Sequence, residues 1–370
     1  MDPHRARSRH AAKFSKPSEL RFFKMNIQAA IAELISGQSL SRADMESVML
    51  TVMQGEATEA QIGGLLIGLR MKGETIDEIV GAASVMRSLA TPVSIDTDGL
   101  IDLAGTGGSG ANLFNVSTAA TFVVAAAGGR VAKHGNRSSG ASGSSDVLSA
   151  LGVDLSVSPD VIADCIDSIG VGFMFAPMHH SAMKHAMGAR QQLAVRTIFN
   201  ILGPLTNPAG ARRQVLGVFL PSLCEVLAGA LRDLGGEHVM VVHGLDGLDE
   251  ISVAAKTQVC ELVDGTLKSY QIDPAEYGHA HHSIDDLSVE NPGDSANLVR
   301  AALGGDGSTR SEKARSMIAM NAGAGLYVGG QASTLADGIA LASEAMRTGK
   351  ALQALDAFVA KTQNAGAEIK

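Results

Sequence analysis

The chain has 370 residues, enough for one large domain or two smaller ones with ample core. Hydrophobic residues make up 45% and charged residues 18%, a balance that excludes a disordered chain, and a net charge of −8 disfavours general affinity for nucleic acid or acidic membrane. Cys165, Cys224 and Cys260 lie far apart with no CxxC pair, which argues against a disulfide scaffold or zinc site and fits a reducing cytoplasm.

Residues 1–24 are basic and lack an apolar signal core. They read as a transit-like segment, a tag-like or misassigned start, or, the reading favoured here, a disordered extension before Met25. Four amphipathic helices are predicted next, each with one apolar stripe expected to be core. The stripes are Ile27, Ile31, Leu34 and Ile35; Met45, Val48, Met49, Val52 and Met53; Ile62, Leu65, Leu66 and Leu69; and Ile76, Ile79, Val80 and Ala83. Thr58 with Gln61 and Thr75 with Glu78 are capping-box patterns at two of the starts.

After Pro92 the rhythm changes. Strands are predicted at 101–104, 131–133, 171–175, 215–220 and 239–243, alternating with helical stretches, which indicates an α/β fold. Val263-Asp264-Gly265-Thr266 is a hairpin signal, and helices return from Ser311 to about Gln363. The longest largely apolar run, Ala119 to Ala127, is too short to span a bilayer. The expected division is a helical domain at 25–92, which later helices near 180–200 could join, and an α/β domain at 93–370.

Four segments carry chemistry. Asp102-Leu-Ala-Gly105-Thr-Gly107-Gly108-Ser109-Gly110 leaves a strand, and Asn115-Val116-Ser117-Thr118 leads into an apolar helix beginning near Thr118. Glycine-rich amides and a helix N-terminus suit an anion, although a capped loop without a ligand explains the segment equally well. Lys133-His134-Gly135-Asn136-Arg137-Ser138 sets two cations at a strand end, where α/β sheets bind ligands. Adjacent Asp249 and Glu250, in a loop after another strand, can both reach a hard cation; alone such a pair is usually solvated, but beside two phosphate-type loops it fits Mg²⁺. Arg190 and Arg196 suit a carboxylate, with solvated or helix-capping arginines as the alternative. His179-His180 lacks a third ligand and reads as polar wall.

With KHGNRS (Lys133–Ser138), RTIFNILGPLTNPAG (Arg196–Gly210), DGLDEIS (Asp246–Ser252) and NAGAGLYV (Asn321–Val328), the chain from Met25 to about Gln363 resembles the anthranilate phosphoribosyltransferases. The resemblance implies a small helical domain with a nucleoside phosphorylase-like, class IV phosphoribosyltransferase α/β domain, and a homodimer paired through its helical domain. It implies Mg²⁺ held by Ser117, Asp249 and Glu250. Phosphoribosyl pyrophosphate would be cradled by Gly105, Gly108, Ser109, Leu113, Asn115, Val116, Ser117 and Thr118, and by Lys133 through Ser144, including His134, Gly135, Asn136, Arg137 and Ser138. Gly105, Asn136 and Arg190 would face anthranilate, with Lys133 and Asn136 the catalytic candidates. Ser109 stands where the family's GTGGD loop has an acid. Two rivals of the same fold are weighed: a pyrimidine nucleoside phosphorylase, against which Asp249, Glu250 and Arg190 count, and a nucleic-acid-binding relative, against which the charge counts.

Overall fold

Side-chain caps set the starts of the first four helices in the computed structural model, which describes residues 25–108, 110–137 and 142–368. The expected extension at 1–24, together with Ser109 and Ser138, lies outside the described residues. Asn26 caps α1 (Ile27–Ile35) and Ser41 caps α2 (Arg42–Met53), each side chain accepting a first-turn amide. The two capping boxes form as expected, at α3 (Glu59–Lys72) and α4 (Ile76–Leu89). The stripes of α2 and α3 are fully buried. Ile35 is not core: it is 78% exposed, because it sits about 80° around α1 from Ile27 and the helix ends there.

One side chain locks this bundle. Glu78 is wholly buried, and its carboxylate accepts the Leu40 amide at 2.9 Å, the Thr75 amide at 2.8 Å and the Lys72 ammonium at 2.9 Å. The cap of α4 therefore also fixes the α1–α2 connection and the end of α3.

The α/β part runs β1 (Leu100–Gly105), α5 (Val116–Ala126), β2 (Arg130–Gly135), α6 (Ser144–Ala150), α7 (Pro159–Ile169), β3 (Val171–Phe175), α8 (Ala176–His179), α9 (Lys184–Leu193), α10 (Phe199–Leu202), β4 (Arg213–Gly217), α11 (Leu223–Asp233), β5 (His238–Gly244), β6 (Thr257–Val263) and β7 (Thr266–Ile272). It closes with α12 (Pro292–Gly304), α13 (Thr309–Gly329), α14 (Leu335–Arg347) and α15 (Lys350–Glu368). The sheet order is β3-β2-β1-β4-β5-β6-β7, parallel from β3 to β5 and antiparallel beyond. Asp264 and Gly265 both have positive φ, the backbone that a two-residue hairpin between β6 and β7 demands.

Three boundaries differ from expectation. The strand expected at 215–220 ends at Gly217, because Phe219 gives its amide to Thr106 Oγ1 instead of a ladder. β2 extends to Gly135, so His134 is a strand residue rather than a loop residue. α12 joins the C-terminal helices unannounced, although Asn291-Pro292 is a helix-start signature.

Helices cover both faces of the sheet. One apolar cluster contains α5 and α12–α15 residues with Ile101, Val215 and Met240. The other runs from the α1–α4 bundle through Ala186, Ala189 and Phe199 to α11 and the opposite sheet face at Leu216 and Val241. The later helices α9 and α10 thus pack into the same core as the bundle.

Glu78→Ala should lower folding stability by about 3 kcal/mol, since it strands the buried Lys72 ammonium and the Leu40 amide. Urea denaturation checks this; a change below about 0.5 kcal/mol, typical of surface sites, would show that the carboxylate does not lock the bundle.

Candidate active site

The switch point of the parallel sheet lies between β1 and β4, whose ends pair Gly105 with Gly217. A Cβ on Gly105 would sit 3.1 Å from the Asp249 carboxylate, and one on Gly217 would collide with the Asp249 carbonyl. Two glycines at paired strand ends therefore let the loop after β5 cross directly over the sheet. Asp249 consequently stands above β1 and β4 rather than out in solvent.

Beneath it lies a buried charge. Lys133 on β2 is only 4% exposed, and its ammonium donates to the Leu103 carbonyl and, at 3.2 Å, to Ser117 Oγ. Burial pulls its pKa down, while Asp102 and Glu250 oppose that shift. Asp102 is pushed up to about 6 by complete burial, against the pull of Lys133, the Asn207 amide at 2.8 Å and the His134 N–H at 3.2 Å. Glu250 accepts the Ser117 N–H at 3.2 Å, on the first turn of α5. Burial, then the Asp249 charge, lifts Glu250 to about 8, with Lys133 and Ser117 pulling it back.

Asp249, Glu250 and Ser117 offer hard oxygen donors, and the raised proton affinity of Glu250 beside Asp249 marks negative charge that a divalent cation would relieve. Among the described residues no group of three or more His, Cys, Asp or Glu side chains forms a complete cage. A site completed by substrate phosphates and water, the habit of Mg²⁺, fits these residues. Asn321 of α13 holds this loop: its Oδ1 accepts the Ile251 N–H and its Nδ2 donates to the Ile251 carbonyl, both at 2.9 Å.

The glycine loop bends through positive φ at Gly107, Gly108 and Gly110. The Arg196 guanidinium donates to the Gly108 carbonyl and lies 4.3 Å over the Phe219 ring. α5 starts at Val116 rather than near Thr118, so Ser117 and Thr118 occupy its first turn; Val116 is buried, and the buried Thr118 hydroxyl has no partner among the described residues. Asn115, the N-cap residue, does not cap its own helix. Its side chain instead reaches Ser142 and Ser295, while Leu113 bridges to Ser288.

The remaining candidates lie around this cluster. His134 contacts the Gly203 carbonyl at 3.2 Å and the His180 ring at 5.0 Å, and burial drives it down to about 3, so it is neutral. Asn136 is exposed; its side chain accepts the Arg137 N–H at 2.7 Å, and its carbonyl accepts Ser144 Oγ at 3.3 Å. Arg137 is exposed, 3.9 Å from Asp146. Arg190 lies 5.2 Å over Phe199, its pKa lowered by burial, and no carboxylate among the described residues pairs with it. No hydrogen bond among the described residues ties Asn136, Arg137 or Arg190 to the Lys133–Glu250 cluster. Asp102, Ser295 and Asn321 were not among the expected site residues. Their signals are weak, because lone polar residues acquire roles only when distant elements meet.

Residues 28–90 match the helical bundle domain of the glycosyl transferase family, and residues 97–352 match its a/b domain. Anthranilate phosphoribosyltransferase from Teredinibacter turnerae is 56% identical over 336 residues, covering 90% of this chain and 98% of the relative. That from Cellvibrio japonicus is 56% identical over 340 residues, covering 92% and 99%. A crystal structure of anthranilate phosphoribosyltransferase from Thermus thermophilus superposes with a TM-score of 0.84 at 40% identity, covering 90% of this chain and 99% of that one. The Saccharomyces cerevisiae enzyme in complex with PRPP and Mg gives 0.83 at 27% identity, covering 91% and 98%. With identity of this order along nine-tenths of its length, and the bundle and α/β architecture in common, this chain belongs to the anthranilate phosphoribosyltransferase family.

Proposed function

We propose that this chain transfers the phosphoribosyl group of phosphoribosyl pyrophosphate to the amine of anthranilate, giving N-(5-phosphoribosyl)anthranilate and pyrophosphate in tryptophan biosynthesis. The observation that carries the reading is the Ser117–Lys133–Asp249–Glu250 cluster at the switch point, at the N-terminus of α5. Yeast relatives bound to PRPP and Mg and to 4-fluoroanthranilate support both substrates.

In this mechanism the amine lone pair forms the N–C bond at the anomeric carbon as the C–O bond to pyrophosphate breaks, and the amine proton leaves to solvent. Negative charge grows on the leaving group. Amides of the glycine loop and of α5 receive it, and a fixed donor array stabilises such charge without reorganising. Ser117, Asp249 and Glu250 would hold Mg²⁺, which supplies Lewis-acid neutralisation of the pyrophosphate. Lys133 donates to Ser117 Oγ and so fixes the orientation of that hydroxyl. Arg190, half-buried and without a carboxylate partner among the described residues, receives the anthranilate carboxylate. Asn136 and neutral His134 orient the amine; an aromatic amine is uncharged at pH 7 and needs no strong base before it attacks.

The protein acts as a homodimer in the cytoplasm. Ile35 and Met71 on the helical bundle are 78% and 84% exposed, an apolar surface that suits a second copy, and the three cysteines are free and buried. Among the described residues no helix is long and apolar enough to cross a membrane. Replacing Ile35 and Met71 together with Asp should shift the protein to monomer in sedimentation equilibrium; an unchanged dimer would place the interface elsewhere.

The decisive assay follows loss of anthranilate fluorescence with phosphoribosyl pyrophosphate, with and without Mg²⁺. Depletion should need all three components, and its absence from the complete mixture would overturn the reading. Asp249→Asn and Glu250→Gln should each cut turnover about 100-fold, on the order of 3 kcal/mol, and raise the Mg²⁺ requirement. Unchanged turnover and metal dependence in both variants would remove these residues from the metal site.

Arg190→Ala should raise the KM for anthranilate about tenfold or more, since a hydrogen bond to a charged group is worth roughly 1.5–3 kcal/mol. The KM for phosphoribosyl pyrophosphate should stay within about twofold, a change of roughly 0.4 kcal/mol. Equal weakening of both substrates would instead mean that Arg190 supports the packing of α9.

A further inference from the structure

The glycine loop has a wall supplied from far along the chain. Val289 N–H donates to the Asn112 carbonyl at 2.9 Å, Phe114 N–H donates to the Leu287 carbonyl at 3.1 Å, and Leu113 pairs antiparallel with Ser288. Residues 287–289 thus run beside 112–114 as a short ribbon outside the main sheet. Arg310 of α13 pins that ribbon: Nε donates to the Asp286 carbonyl at 2.8 Å, Nη2 donates to the Ser288 carbonyl at 2.8 Å, and Nη1 pairs with Asp294 at 3.1 Å.

The ribbon ends at Asn115. Ser295, fully buried in the first turn of α12, donates its hydroxyl to Asn115 Oδ1 at 2.7 Å and accepts the Asn115 backbone N–H at 3.0 Å. Ser142 donates to the same Oδ1 at 2.7 Å, and its carbonyl accepts Asn115 Nδ2 at 3.2 Å. Oδ1 therefore has two donors. A flipped amide would set that oxygen against the Ser142 carbonyl, acceptor against acceptor, so the network permits one orientation. In it one Nδ2 hydrogen goes to Ser142, and the other has no acceptor among the described residues. That hydrogen belongs to the N-cap residue of α5.

We propose that Ser295 is a positioning residue for phosphoribosyl pyrophosphate, locking the Asn115 amide so that its remaining N–H meets a substrate oxygen. The inference rests on the reading of Asn115 as part of the substrate cradle. It adds a residue 180 positions away that acts only through Asn115. Ser295 joins substrate binding to α12, and through Arg310 to α13, whose Asn321 holds the Asp249–Glu250 loop.

The test is calorimetric binding of phosphoribosyl pyrophosphate with Mg²⁺, alongside steady-state kinetics. Ser295→Ala should raise the Kd and KM for phosphoribosyl pyrophosphate about fivefold, the effect of one lost buried hydrogen bond, and leave the KM for anthranilate unchanged. In an Asn115→Ala background, where Ser295 keeps only its bond to the backbone N–H of residue 115, the same substitution should cost clearly less than in wild type, because residues acting through one another are not additive. Equal losses in both backgrounds, or no loss in the wild-type background, would overturn the inference. Wild-type protein that binds no phosphoribosyl pyrophosphate would overturn the functional reading and this inference together; wild-type binding that Ser295→Ala matches would overturn this inference alone. Should Ser295→Ala melt too low to assay, Ser142→Ala, on a half-buried loop, carries the same comparison with the same expected sign.

Discussion

An ammonium buried under the ends of a parallel sheet is the constraint around which the site is arranged. A cation removed from water costs several kcal/mol unless partners surround it. Lys133 meets that demand with a carbonyl from β1, a hydroxyl from α5, and the nearby carboxylates of Asp102 and Glu250. These partners come from β1, α5 and the loop after β5, so satisfying one charge on β2 fixes these elements relative to one another. The same arrangement leaves Glu250 beside Asp249 with a raised proton affinity, the mark of negative charge that a cation would relieve.

Above that layer the backbone does most of the work. Gly105 and Gly217 admit the acidic loop over the sheet, and the positive-φ glycines of the phosphate-type loop allow a path that side chains would block. Arginine then serves two separate ends. Arg196 is spent on the Gly108 carbonyl and the Phe219 ring, steadying the loop, whereas Arg190 keeps its guanidinium available over Phe199. A pair that looked alike as two guanidinium groups in one segment divides into a brace for the glycine loop and a half-buried group stacked over a ring.

Much of this was legible from residues alone, for reasons particular to each element. The capping boxes of α3 and α4 are local, reciprocal patterns, and the Asp264-Gly265 turn is a two-residue conformational demand; neither needs tertiary context. The cradle and acidic pair were visible because their residues are contiguous. What escaped notice depends on distance along the chain. Ser295 is an ordinary serine until α12 brings it to Asn115, and Asn321, though it opens the NAGAGLYV motif, shows no role until it grips Ile251. Ile35 misled because an apolar residue at a helix end satisfies the stripe count while lying off its axis.

The wall of the glycine loop also bears on how the protein is made. On the ribosome the helical bundle and the strands through β7 emerge first, and domains tend to fold as they appear. The ribbon at 287–289, Ser295 and the Asn321 grip on the acidic loop come from later sequence, as do the helices α12–α15 that cover one face of the sheet, so that face and the loop supports are completed only once the C-terminal part of the chain has emerged. A message cut short before α12 therefore leaves that sheet face without the cover of α12–α15 and the acidic loop without its grip.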